Sequence, residues 1–366
     1  MIKSFRPSAA VLVFFLLPLL LQAQGNSANT PGQGNADSAW MAVSNVSRPT
    51  SISKTANGNA KTKDQLDAEI AEQGKRMQQA AQSAKDFYTA NPGHAKALEA
   101  RKIEAVAALR GAPAGDVAWA QAATRLSKDF RERTDVPAKD RFEVALAADR
   151  LALTAKIKAK TAADSTVEWQ LVAERLRTEF GDLPELHDFS MEVARRADLT
   201  SAVKTANEVT QSTKATANAK LRAQAILDRA ALVGRPVNLK LAKVEGGILD
   251  LAQQKDKLTV VLVWSPSDPQ GLESVKRFEK ALPKDTQLVY VAFGGAAPLV
   301  NRLKSSASAP GVHCHAVAGT ASKAASDALK LRYADLPCLY VINRAGVLTG
   351  LGRVEEFASL IAKASR

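Results

Sequence analysis

The stretch Leu258-Thr-Val-Val-Leu-Val-Trp264-Ser-Pro-Ser-Asp268-Pro-Gln-Gly271 decides how this chain is read. Its first seven residues are apolar except for Thr259 and rich in β-branched side chains, and Ser-Pro-Ser closes the run. A short continuous apolar run bounded by turn residues predicts a strand buried on both faces. Residues 272–282 follow with helical spacing, so the unit is strand, loop, helix. The loop between them, 265–271, holds neither cysteine nor histidine.

Working outward, the pattern alternates. Residues 239–244 and 248–251 flank Glu245-Gly246-Gly247, a hairpin signal. Residues 286–293 read as a second buried strand, 297–305 as a helix, 312–317 as a strand and 322–333 as a helix. A hairpin of 338–343 and 347–351 turns at Arg344-Ala345-Gly346, and 355–363 closes the chain as a helix. Strands alternating with helices and ending in an antiparallel hairpin predict a three-layer α/β domain over 234–366.

Before Gly234-Arg235-Pro236 the period is helical. Leu66, Ile70, Met77, Ala81, Ala84 and Tyr88 recur at steps of three, four or seven, which predicts one buried stripe. Further helices are predicted over 94–110, 116–130, 138–158, 165–180, 185–197, 200–211 and 219–233. Within them Trp119, Arg125, Leu126, Asp129 and Phe130 recur as Trp169, Arg175, Leu176, Glu179 and Phe180, a period of 50 residues. A fainter copy sits at Lys85-Asp86-Phe87. Each Phe is followed by a proline (Pro92, Pro137, Pro184) that suits a helix start. The units read as helical hairpins, with the Trp and Phe as packing residues. A single hairpin cannot bury its own apolar face, so 63–233 reads as a short array resembling tetratricopeptide-type repeats with an irregular period.

The amino terminus reads as an export signal. Lys3 and Arg6 precede an apolar run from Ala9 to Leu21, and Leu21-Gln22-Ala23 fits a cleavage site. The run is shorter than the ~18 residues that span a bilayer, and Pro18 interrupts it. The expectation is a signal peptide over 1–23, a periplasmic or secreted mature chain, and no stable membrane span. Residues 24–62, rich in Gly, Asn, Ser and Thr, are expected to form a disordered tether. The chain of 366 residues has a net charge of +13, but its basic residues are interleaved with acids, which reads as a solvated surface rather than a nucleic-acid footprint. With two cysteines, Cys314 and Cys338, it is no disulfide scaffold. His313-Cys314-His315 holds good metal ligands, but on a strand the histidines face opposite to the cysteine, so no metal site is expected. His94 and His187 read as helix-start and helical-surface residues. No phosphate loop, catalytic triad or cofactor motif is present.

Taken together, Gly234-Arg-Pro236 with Val244-Glu-Gly-Gly247, the strand ending at Trp264, and Asp335-Leu-Pro337-Cys-Leu-Tyr-Val-Ile-Asn343-Arg-Ala-Gly346 resemble the thioredoxin-like superfamily. The likeness is strongest to exported thiol-disulfide oxidoreductases of the TlpA type and their peroxiredoxin relatives, and covers 234–366. The fold class is therefore α plus α/β, a helical hairpin array followed by a thioredoxin-like domain. The resemblance implies that Pro337 is the family's cis-proline, beside which an extended partner pairs. It places Asp268 and Gly271 where the family carries its two redox cysteines, a degenerate site. It also implies that two strands separate Cys314 from Cys338, about 14 Å at ~4.8 Å per strand, too far for a disulfide. Trp264, Asp268, Pro337 and Cys338 are thus the candidate binding residues, and Cys338 the one candidate thiol. The expected function is binding of a protein or peptide in the cell envelope without redox chemistry or cofactor. The competing expectation is a single-thiol oxidoreductase or peroxidase working through Cys338. A third gives the helical segment a structural role in making oligomers.

Overall fold

The computed structural model describes residues 33–47, 63–159, 165–265, 286–293, 311–316, 327–330 and 336–364. The expected signal peptide, Asp268, Gly271 and the helices at 272–282 and 297–305 lie outside the described residues. The chain divides into two compact units, Met1–Asp182 and Leu183–Arg366.

In the first unit α1 (Gln33–Ser47), α2 (Lys63–Ala90), α3 (Ala97–Gly111), α4 (Val117–Glu132), α5 (Ala138–Lys158) and α6 (Ser165–Phe180) follow in order. Each packs on its successor, and α3 also packs on α5. Helix α1 corrects the expected tether. Trp40, Val43 and Val46 recur every three residues inside a polar segment, and Val43 is buried with Ala84, Phe87 and Ala100 while Trp40 meets the Phe87 ring at 5.5 Å. His94 Nε2 lies 3.2 Å from Asp37 Oδ1 and fastens α1 to the start of α3. The buried side of α2 is narrower than expected: Ala80, Ala81, Ala84 and Phe87 are buried, whereas Ile70 is exposed.

The Trp and Phe of the 50-residue repeat are buried at Trp169 and Phe130 and half-buried at Trp119 and Phe180. Asp116 caps α4 by accepting from Trp119 N at 2.7 Å, and Trp119 Nε1 donates to the Ala108 carbonyl at 3.0 Å. Phe130 and Trp169 are buried, and Phe180 meets Phe142 edge-on at 5.8 Å. Arg131 forks onto the Glu179 carboxylate, joining α4 to α6. Between α3 and α5, Lys102 Nζ reaches Asp140 Oδ1 at 2.6 Å and Glu143 Oε2 at 2.9 Å.

The second unit begins with α7 (Pro184–Ala194), α8 (Leu199–Gln211) and α9 (Ala217–Ala230). A seven-stranded sheet follows: β1 (Lys240–Lys243), β2 (Ile248–Asp250), β3 (Leu258–Trp264), β4 (Thr286–Phe293), β5 (Val312–Ala316), β6 (Cys338–Ile342) and β7 (Leu348–Gly352), with α10 (Phe357–Ala364) last. The strand order is β2-β1-β5-β4-β3-β6-β7, and β3, β4 and β5 run parallel. Two strands therefore separate the Cys314 strand from the Cys338 strand, and the Leu336–Pro337 peptide bond is cis, both as the thioredoxin-like resemblance implies.

Every residue of β3 is buried, because alternate side chains serve two cores. Val260 and Leu262 pack with Leu339, Val341 and the α10 residues Phe357, Leu360 and Ile361. On the other face Val261 and Val263 pack with Val289, Val291, Cys338 and Tyr340, and Leu199, Leu232 and Val233 from the helical segment lie against them. Secondary structure thus changes at Gly234, where a boundary was expected, but the compact unit starts at Leu183 because the last three helices share a core with the sheet. The connecting residues are also tied down. Gly234 N donates to the Leu348 carbonyl at 2.7 Å, Leu348 N to Arg235 O at 2.9 Å and Val237 N to Gly346 O at 2.9 Å, so the segment runs beside β7.

Gly74 offers a test of the helix packing, since a Cβ there would overlap that of Ala114, whereas nothing lies within 4 Å of a Cβ at Gly93. Gly74→Ala is expected to destabilise the protein by about 1 to 3 kcal/mol despite alanine's better helix propensity. Gly93→Ala should be close to neutral. Urea denaturation of both variants checks this, and a stabilised Gly74→Ala would refute the close approach.

Candidate functional site

The candidate site residues fall at the carboxyl end of β3 and the amino end of β6. Antiparallel pairing sets Val263 opposite Cys338, so Trp264 and Pro337 lie just past the last paired row. The ladder registers give one row across five strands: Lys243, Cys314, Val291, Val263 and Cys338. Residues in one row share a face, so both cysteines point into the same core, three strands apart. At ~4.8 Å per strand the row spans about 14 Å between the thiol-bearing strands. Both cysteines are buried and form no disulfide.

Their surroundings differ. Cys314 is enclosed by apolar neighbours, and burial pushes its thiol up to about 12, against a smaller opposing effect from Lys243. Almost no thiolate forms there near neutral pH, so Cys314 is an inert core residue. Cys338, 4% exposed, borders a cavity of about 60 Å3. Its other walls include Ala202 and Ile226 from α8 and α9, and three arginines: Arg195, Arg229 and Arg353. Arg353 Nε donates to Glu356 Oε1 at 3.2 Å. Among the described residues no carboxylate lines the cavity.

This cavity is the feature that sequence reading missed. Its arginines come from the end of α7, from α9 and from the end of β7, and no local motif joins them. One signal was available: Ala194, Ala202 and Ala223 are small residues on the three helices α7, α8 and α9, which fits helices that press closely on a partner.

Trp264 is buried, and among the described residues its Nε1 has no hydrogen-bond partner. Trp264 follows Val263 on β3, and alternation turns it to the face opposite Cys338, so these two candidate residues do not converge. Leu336 and Pro337 are half-buried. Asp268 and Gly271 lie outside the described residues.

In the His-Cys-His run, His313 stacks on Tyr290 with centroids 4.7 Å apart, while Cys314 packs in the opposite core. Among the described residues no group of three or more His, Cys, Asp or Glu gathers that could hold a metal ion. His187 departs from its expected surface position: it is buried in α7, with Nε2 2.9 Å from Ser212 Oγ at the end of α8. The ring sits where α7 crosses α8, which periodicity alone does not locate.

No protein-family model matches the chain, and no curated protein matches it. Among solved structures it is similar to a secreted disulfide oxidoreductase of Mycobacterium tuberculosis homologous to E. coli DsbE, at 14% identity over 34% of this chain and 96% of that one, TM-score 0.29. It is also similar to an exposed lipoprotein thioredoxin of Streptococcus pneumoniae, at 16% identity over 34% and 98%, TM-score 0.29. A third is the thioredoxin domain of a thiol-disulfide oxidoreductase from Bacteroides vulgatus, at 11% identity over 36% and 96%, TM-score 0.32. Each likeness spans about a third of this chain. No described helix is long and apolar enough to cross a membrane.

The start of α8 holds one wall of the cavity in place. Asp198 accepts from Ser201 Oγ at 2.6 Å, from Thr200 N at 2.9 Å and from Ser201 N at 3.1 Å, and these donors, the Ser201 hydroxyl first, hold its carboxyl below the usual range. A depressed carboxyl contributes stability that is full above its unfolded-state value and is lost as pH falls through the folded value. Asp198→Ala is expected to cost about 1 kcal/mol near neutral pH. The gap should close in acid below the folded value. Denaturant midpoints of both proteins at the two conditions check this; a gap unchanged in acid would contradict the carboxylate cap.

Proposed function

We propose that this is an exported envelope protein whose thioredoxin-like domain binds a protein or peptide and performs no thiol-disulfide exchange. One observation carries the reading: the chain's two thiols lie buried on one face, three strands apart, and no cysteine occupies 258–271. Exchange by a dithiol needs two sulfurs within bonding reach and one exposed as thiolate. Neither condition fits this arrangement. Leu336 and Pro337, just before β6, are only half-buried, which supports approach by a partner there, and Trp264 lies one strand away. Export rests on the amino-terminal Lys3, Arg6 and the apolar run that follows. Degenerate positions Asp268 and Gly271 would contribute contacts rather than chemistry. The six described helices of the first unit, packed in succession, offer a second surface for a protein partner.

A second reading, a single-thiol oxidoreductase or peroxidase working through Cys338, has one observation in its favour. Cys338 borders a cavity that arginines also line, which leaves space beside its sulfur.

Insulin reduction and peroxide consumption by the mature chain and by Cys338→Ser separate the two readings. The expected result is no turnover that depends on Cys338, with Cys338→Ser and wild type retaining the same envelope protein in pulldown. Turnover lost in Cys338→Ser would overturn the binding reading.

A further inference from the structure

Helix α1 sits in a groove between α2 and α3 whose floor and ends suit a helix. Ala84 and Phe87 of α2 and Ala100 of α3 are buried together with Val43, and the two alanines let a helix approach closely. Trp40 lies against the Phe87 ring at 5.5 Å, and Lys96 Nζ is 5.6 Å from its centroid. The ends are matched by charge. Arg76 Nη2 lies 3.5 Å from the Asn45 carbonyl, near the carboxyl end of α1, where a cation suits the helix dipole. Towards the other end Lys96 N donates to His94 Nδ1 at 3.1 Å, which leaves Nε2 to donate to Asp37 Oδ1 at 3.2 Å.

The segment that fills this groove is a poor helix by itself. Its 15 residues include Gly34, Asn35, Ser38, Val43, Ser44 and Asn45, all weak helix formers, and a helix of this length is marginal in water even with strong ones. Of its described side chains only Val43 and Ser44 are buried, and Met41 is 56% exposed. A permanent cap on the end of a helical array is best built from strong helix formers. Helix α1 instead has the composition of a segment that folds when bound, and a helix held by so few buried residues opens more readily than the core beneath it.

We propose that the groove between α2 and α3 is a docking site for a helix of a partner protein, and that α1 is its resident in-chain ligand, released without unfolding the helices beneath. The partner helix carries an aromatic residue followed by aliphatic residues three and six positions on, as Trp40, Val43 and Val46 do, and a carboxylate three positions before the aromatic, as Asp37 does. This sharpens the surface proposed above for the first unit and rests on that reading.

Hydrogen exchange on the mature chain tests release. Amides of α1 are expected to exchange at least about tenfold faster than those of α3, and equal rates would overturn the proposal. A fluorescein-labelled peptide of residues 33–47 tests docking. In the full chain Val43→Asp places a charge at a position only 2% exposed, which expels α1 and empties the groove. The peptide is expected to bind that variant saturably, and at least about tenfold more weakly to wild type, where α1 competes from within the chain. Binding should also weaken at least about tenfold when the peptide carries Trp40→Ala. Equal binding to both chains, or a folded Val43→Asp that binds no peptide, would overturn the docking site. An envelope protein retained by that folded variant without peptide binding overturns the groove while leaving the broader reading of the first unit intact. Melting temperature establishes that the variant is folded. Should it not be, exchange at 33–47 in wild type with excess unlabelled peptide decides: faster exchange supports displacement of α1, and an unchanged rate refutes it.

Discussion

Strand β3 is apolar on both faces, and nothing in a sheet's own hydrogen bonding can cover two faces at once. This single constraint arranges the second unit. One face takes α10, through Phe357, Leu360 and Ile361. The other is covered in part by Leu199 from α8 and by Leu232 and Val233 from the segment after α9. These helices precede the sheet and on periodicity look like a continuation of the hairpin array. Their placement follows from the unmet demand of the sheet rather than from their own sequence. Burial of Cys338 and the arginine-lined cavity are both products of that covering.

The same logic sets what a thiol can do here. Cys314 and Cys338 sit in one ladder row, so they share a face of the sheet but not a bonding distance. In an apolar core the thiolate is disfavoured, and Cys314 carries the clearest mark of it, its thiol pushed up to about 12. Cys338 lies where helices and sheet leave a small cavity that arginines also line. A residue's chemistry in this fold is thus decided by how well the layer above it fits.

Much of this was legible in the sequence, for identifiable reasons. The runs 258–264 and 286–293 are continuous and apolar, and their strands match residue for residue, since a strand buried on both faces leaves no periodicity to misread. Helices α5 and α6 match as well, bounded by Pro137 and by a 50-residue repeat. The arrangement of Cys314 and Cys338 followed from the resemblance once their strands were placed. Helix α1 did not, because three apolar residues among Gly, Asn and Ser read as a tether until a neighbouring surface, Ala84 and Phe87, is there to receive them. His187 was misplaced for the same reason: burial by a crossing helix leaves no local trace. The cavity arginines are spread over some 160 residues of sequence, from 195 to 353, and only the folded chain brings them together.

The residues that join α9 to the sheet have a consequence beyond holding helices in place. By running beside β7, Gly234–Val237 occupy backbone groups that would otherwise face outward at that margin of the sheet. At the far margin β2 is three residues long, about 10 Å of strand. A protein that folds among many other chains meets a hazard in open strand edges, which pair indiscriminately. Here the chain's own connector covers the start of one margin and the strand at the other is short, and both features limit pairing along the sheet's edges.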